Sequence, residues 1–216
     1  MTNLKLSVGA LLVSLSMIAA PAVANPAFES GDAGYLPGAD QTVAAGTTTI
    51  SGLAGGGGTS ADVDLFRFGW GGGSLTIDTA GSSFDTILYL FDSNGLGLFG
   101  NDDAIGLQSS ITAILSAGDY LVGISSCCSQ PTSAGGAIFP QVFVGGLELP
   151  TGPGGGSPLS GWTDLGGTPF TPQAGQSSYV INFSGRTAAV DVPAPAPLAL
   201  IGLGLLAIAG RRRKNA

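Results

Sequence analysis

Residues 62–70 read DVDLFRFGW and residues 86–91 read TILYLF, and these two runs decide the fold class. In the first, Val63, Leu65, Phe66 and Phe68 mark an extended segment whose inward face is apolar. Aromatic and β-branched residues with turn formers at either end read as strands. Similar runs continue outward: residues 47–53 (TTTISGL), 74–77 (SLTI), 111–115 (ITAIL), 119–124 (DYLVGI), 138–144 and 179–183. Turn signals separate them at residues 55–58, 71–73, 93–95 and 117–119. Strands every 8–12 residues or so, without a helical period, predict an all-β fold, an antiparallel β-sandwich of jelly-roll-like form. Composition agrees. The 216 residues include 37 Gly and 13 Pro, and each Gly inside a helix costs roughly 1 kcal/mol relative to Ala.

Charge and residue types exclude several functions. There is no His, so there is no Ser-His-Asp or Cys-His relay and no His-ligated metal. Lys5 and Lys214 are the only lysines, both near the ends, so the body offers no Schiff-base or Walker A lysine. Between Glu29 and Asp191 lie all 14 acidic residues against two arginines, Arg67 and Arg186, a net charge of −12. Such a body cannot neutralise phosphates, which excludes nucleic acid as a partner. It suits a divalent cation, or solubility alone.

Both ends read as addresses. Residues 1–24 have the layout of a secretory signal peptide: Lys5, an apolar stretch at residues 6–20 (LSVGALLVSLSMIAA), then Ala22, Val23 and Ala24 before the expected cleavage. At the other end, the stiff Val192-Pro193-Ala194-Pro195 and Ala196-Pro197 precede LALIGLGLLAIAG at residues 198–210, then Arg211, Arg212, Arg213 and Lys214. A single transmembrane helix is expected at residues 196–210, with the basic tail 211–214 in the cytoplasm. The thirteen residues of its apolar run span about 20 Å, short of a hydrocarbon core of roughly 30 Å.

Proline motif, apolar helix and arginine cluster together resemble the PEP-CTERM sorting signal of Gram-negative bacteria over residues 192–216. Here Ala194 stands where that signature has Glu. The resemblance implies recognition by an exosortase-type membrane protease, export from the cytoplasm, at least transient tethering at the inner membrane, and delivery to the envelope, surface or exterior. A second resemblance covers residues 62–125. D-x-D-x-F-x-F (Asp62, Asp64, Phe66, Phe68), FDTILYLFDSNG at 84–95, NDD at 101–103 and SSITAILSAGDYLVGIS at 109–125 occur in the order seen in the bacterial pre-peptidase C-terminal domain, a β-sandwich. SYVINFSG at 178–185 would be its closing strand, leaving an insertion at about 127–176 inside one domain, residues 25–191.

Among candidate sites, Asp85, Asp92, Asn94, Asn101, Asp102 and Asp103 lie at strand ends and turns around TILYLF, where oxygen ligands for calcium could converge, with Asp62 and Asp64 contributing from a neighbouring strand. The same residue types also form turns by bonding their own backbone. Residues 95–100 fit G-x-G-x-x-G, but Asn101-Asp102-Asp103 follows where the dinucleotide fingerprint needs a helix. Cys127 and Cys128 are adjacent, and export leaves free thiols, a vicinal disulfide or bonds to another chain open. Trp70, Trp162, Tyr35 and Phe170 could form a sugar-stacking surface. No pair of carboxylates is placed for glycosidase chemistry by spacing alone. The expectation is a non-enzymatic surface or extracellular-matrix protein associated with exopolysaccharide or other surface proteins. The alternative is a calcium-dependent carbohydrate-binding module, and a polysaccharide hydrolase is the weakest reading.

Overall fold

The computed structural model describes residues 24–54, 62–126, 129–140, 146–164, 167–168 and 177–185. Their regular elements are β1 (Pro26–Phe28), β2 (Gln41–Thr42), β3 (Thr49–Ala54), β4 (Val63–Asp78), β5 (Thr86–Asp92), β6 (Gly97–Asp102), β7 (Ser110–Ser126), β8 (Ser129–Ser133), β9 (Gly136–Ala137), β10 (Leu147–Glu148), β11 (Gly161–Asp164) and β12 (Ser177–Gly185). The fold is all-β and sandwich-like.

Two long strands organise it. β4 and β7 pair antiparallel from Val63↔Ser125 to Asp78↔Ser110 in one unbroken register. The first half of β4 and the second half of β7 continue into β5, β6 and β10, while the other halves continue into β12, β3 and β1. Both halves contribute to one core. Phe66, Phe68, Leu88, Leu90, Val122 and Ile124 from one side meet Leu75, Ile77, Ile111, Ile50 and Ile181 from the other. The sheet therefore folds back on itself and becomes both layers of the sandwich. It turns at Gly72 and Gly73, whose φ values of 91° and 104° suit glycine.

Here the structure corrects the sequence reading. Turns were expected at residues 71–73 and 117–119, dividing four short strands. Instead Gly71 pairs with Ala117 and Trp70 with Gly118, so each glycine run lies within a strand. A glycine run ends a strand only where its backbone lacks a partner. Here each run lies beside the other, and the ladder holds both as one bend.

A second core explains TILYLF. All six of these residues are buried. Leu88 and Leu90 face the sandwich, while Ile87, Tyr89 and Phe91 join Val63, Leu65, Leu121, Ile138, Phe139, Leu159 and Trp162 on the opposite face. The cover comes from the described part of residues 127–176, including the small sheet β11-β8-β9. Tyr89 hydroxyl donates to the Ser129 carbonyl at 2.6 Å, and Trp162 packs edge-on to Tyr89 at 5.4 Å. Ile138 and Phe139 are buried but not in a strand, contrary to the strand expected at 138–144, of which residues 141–145 lie outside the described residues. β6 was missed, because GLFGND has too few β-formers to announce a strand.

The expected signal peptide lies almost wholly outside the described residues, and the expected helix 196–210 and basic tail lie entirely outside them. Among the described residues, no helix is long and apolar enough to cross a membrane.

Candidate metal centre

Two clusters of carboxylates form at loop–strand junctions. The first unites Glu29, Asp32 and Asp64, which offer ligand oxygens within 4.8 Å of one another. Parallel pairing of β1 with β3 brings Glu29 alongside β3, where its N–H donates to the Ser51 carbonyl at 2.9 Å. Its carboxylate accepts the N–H groups of Ala33 and Leu53, each at 2.9 Å, and the Tyr179 hydroxyl at 3.5 Å. Gly52 makes the close approach possible, since a Cβ there would collide with Glu29 Oε2 and the Tyr179 hydroxyl.

Asp64 lies on β4 opposite Ile124 and is 0 % exposed. Neither of its oxygens has a hydrogen-bond partner of good geometry, although the Tyr179 hydroxyl lies beside it. Burial, then the charges of Asp62 and Glu29, push its pKa up to about 9. Burial and the neighbouring Asp64 and Glu29 likewise raise that of Tyr179. Asp62 is 2 % exposed just before the strand. A buried aspartate on the inward face of the strand that carries Phe66, with a second acid beside it, is costly unless protonated or matched by positive charge.

The second cluster is Asp85, Asp102 and Asp103, again within 4.8 Å. Asp85 immediately precedes β5, Asp102 ends β6 opposite Ile87, and Asp103 follows with φ of 57°. Oδ1 of Asp85 and of Asp102 are shielded from solvent and lack hydrogen-bond partners. Burial, then Asp103 and Asp85, raise the Asp102 pKa to about 6, and burial with Asp103 raises that of Asp85.

The six residues singled out around TILYLF therefore divide. Asp85, Asp102 and Asp103 converge. Asp92 Oδ1 accepts from the N–H groups of Asn94 at 2.8 Å and Leu96 at 2.9 Å, holding its own turn, where Asn94 is exposed. Asn101 accepts from Ser110 N–H at 2.6 Å and donates to the Gly146 carbonyl at 2.8 Å. Asp64 belongs with Glu29 and Asp32, which sequence reasoning missed. Nothing local links ESGD at 29–32 to an aspartate more than thirty residues later. The junction exists only once β1 lies beside β3.

The other candidates resolve separately. The four aromatic residues do not form one platform. Trp162 is core, 5 % exposed, with its indole N–H on the Tyr35 carbonyl at 2.7 Å. Tyr35 packs on the same core, Trp70 lines a cavity elsewhere, and Phe170 lies outside the described residues. Residues 97–100 of the G-x-G-x-x-G match lie in β6, with no helix following among the described residues. Cys127 and Cys128 lie outside the described residues.

Residues 191–214 match the PEP-CTERM protein-sorting motif. This motif marks an exported protein that an exosortase recognises in the membrane and that is sorted to the cell envelope. No curated protein matches the chain in sequence. Among solved structures, the chain is similar to the pre-peptidase C-terminal domain of a collagenase from Bacillus anthracis, at 11 % identity and a TM-score of 0.37, covering 67 % of this chain and 94 % of that one.

Proposed function

We propose that this is a non-enzymatic surface or extracellular-matrix protein whose sandwich binds calcium, with Glu29, Asp32 and Asp64 as the principal ligands and Asp62 beside them. The observation carrying the reading is Asp64, a fully buried carboxylate beside two other acids. Oxygen-only donors of this kind suit calcium, which takes six to eight oxygens in irregular geometry. The ion would supply the positive charge that burial otherwise denies Asp64, and would join β1 and the following loop to β4. The metal would then be structural, stiffening a domain that presents its loops to exopolysaccharide or to neighbouring surface proteins.

Calorimetry on the full chain in detergent, with calcium as titrant, tests this. Binding is expected with release of protons, because Asp64 must ionise, and with a rise in Tm. Asp64→Asn keeps the shape and removes the charge, and is expected to abolish both. Absence of any calcium-dependent heat or Tm shift in the unaltered chain would sink the reading.

A second reading, a calcium-dependent carbohydrate-binding module, draws on the Asp85, Asp102 and Asp103 cluster. There Asp103 is exposed, so an ion would keep positions open to sugar hydroxyls. A glycan array on the full chain with and without calcium separates the two. One sugar bound only with calcium, and lost in Asp103→Asn, favours this module.

A further inference from the structure

β7 is paired along the whole of one edge and only part of the other. β4 follows it from Ser110 to Ser125, whereas β5 pairs with it only from Tyr120 to Ser126. From Ile111 to Gly118 no strand lies on that second edge among the described residues. Two hydrogen bonds fix which peptide groups face it. Thr79 N–H donates to the Ser109 carbonyl at 3.1 Å, so Ser109 turns toward β4. Ser110 N–H turns away from β4 and donates to Asn101 Oδ1 at 2.6 Å. Successive residues alternate, so Thr112 and Ile114 direct their N–H and C=O groups to the open side. The strip is bounded at one end by Asn101 on Ser110 N–H, and at the other by the Tyr120 hydroxyl, which donates to the Ser116 carbonyl at 2.9 Å. Between these ends the backbone groups of Thr112 and Ile114 have no partner among the described residues.

Other open edges of this sheet carry guards. β1 contains Pro26, and β10 is two residues long and contains Glu148. Proline, charge and short length keep an edge from pairing with another chain. Residues 111–115, ITAIL, have neither proline nor charge. Ile114 is 86 % exposed, while Ile111, Ala113 and Leu115 face the core. No charged residue occurs from Ala104 to Gly118, in a body of net charge −12. A second copy of the same acidic body can approach here without setting acid against acid. The strip is also complementary to itself. Antiparallel pairing about a two-fold axis at Ala113 places Thr112 opposite Ile114 of the second copy, and Ile114 opposite its Thr112. Each such pair exchanges both main-chain hydrogen bonds, which satisfies every free group of these residues on both edges. The two Ala113 residues meet on the axis, where opposed Cα atoms come within about 4.5 Å and a small side chain suits the approach. Continued in this register, Asp119 falls opposite Leu107 of the second copy, a neutral residue that is itself 56 % exposed.

We infer that the chain self-associates through this edge, two copies joining their sheets antiparallel about Ala113 in an isologous contact. Sedimentation of the full chain in detergent tests this, with chelator present so that calcium cannot bridge the acidic bodies. A short edge contact lies at the weak end of interfaces, so concentrations run up to about 1 mM. The unaltered chain is expected to form a dimer. Ile114→Lys, which puts a charge on the exposed edge and leaves the core intact, is expected to stay monomeric over the same range. A monomer throughout for the unaltered chain overturns the inference, and so does a dimer that Ile114→Lys leaves unchanged. A cross-link reads the register, on a background of Cys127→Ser and Cys128→Ser. Thr112→Cys chains mixed with Ile114→Cys chains bring the two Cα atoms to about 5.5 Å, within disulfide reach. Either variant alone sets its thiols two residues out of step. Mild oxidation of the mixture is expected to give at least about fivefold more cross-linked dimer than either variant alone, because Cα atoms more than about 7 Å apart cannot be bridged. Equal yields from the mixture and the single variants overturn the inference.

Discussion

Asp64 is the residue on which the chemistry turns. Its folded pKa of about 9 lies above the ordinary carboxylate value of 3.8. Below pH 4 both folded and unfolded chains hold the proton. Between about pH 4 and 9 the folded chain holds a proton that the unfolded chain has released, so cation-free stability falls as pH rises through this window. The charges of Asp62, Glu29 and Asp32 strengthen the trend, while the Tyr179 hydroxyl beside the group opposes it. Urea unfolding in chelator at pH 5 and pH 8 should show lower stability at pH 8, with Asp64→Asn flattening the difference. Gly52 tests the same place sterically. Gly52→Ala drives a Cβ into Glu29 Oε2 and the Tyr179 hydroxyl, and overpacking of this kind costs about 1–3 kcal/mol. A lower urea midpoint together with weaker calcium binding is the expected result. In sequence Asp64 was legible only as a contributor, from a neighbouring strand, to the cluster around TILYLF, whereas it groups with Glu29 and Asp32. Those partners were not legible, because Glu29 and Asp32 reach it through pairing between distant strands.

At the scale of the element, β4 and β7 show how local signals mislead. Their alternating runs were readable on both sides of each glycine cluster. What happened at the glycines depended on whether the two clusters lay side by side. Gly72 is the sharpest test of the bend. Its φ of 91° disfavours any other residue, and a Cβ would approach the Ala117 nitrogen at 3.2 Å. Gly72→Ala is expected to cost roughly 1–2 kcal/mol in urea unfolding. Gly118→Ala should cost well under half as much, because a Cβ there would find only Tyr120 Cε2 at 4.0 Å. Equal losses would mean that the glycines are not acting as a corner.

At the scale of the whole molecule, the described residues form three layers, the two halves of the folded sheet and the cover built from the described part of residues 127–176. Trp162 fixes the cover through Tyr89 and through the Tyr35 carbonyl. Trp162→Ala is expected to cost about 3–5 kcal/mol, the usual range for losing a buried aromatic side chain, and to make the cover's amides exchange faster than those of β4. Uniform acceleration across cover and sandwich would instead report one inseparable unit. The sequence by itself determined the β class, the acidic body and the sorting signal. Each rests on composition or on contiguous residues, and strand alternation and a linear address need no distant partner. The tertiary structure alone decided the corner, the burial of TILYLF on both faces, and the grouping of carboxylates. Each of these depends on which backbone lies beside which, a matter settled by pairing and burial across the whole chain rather than by any local run of residues.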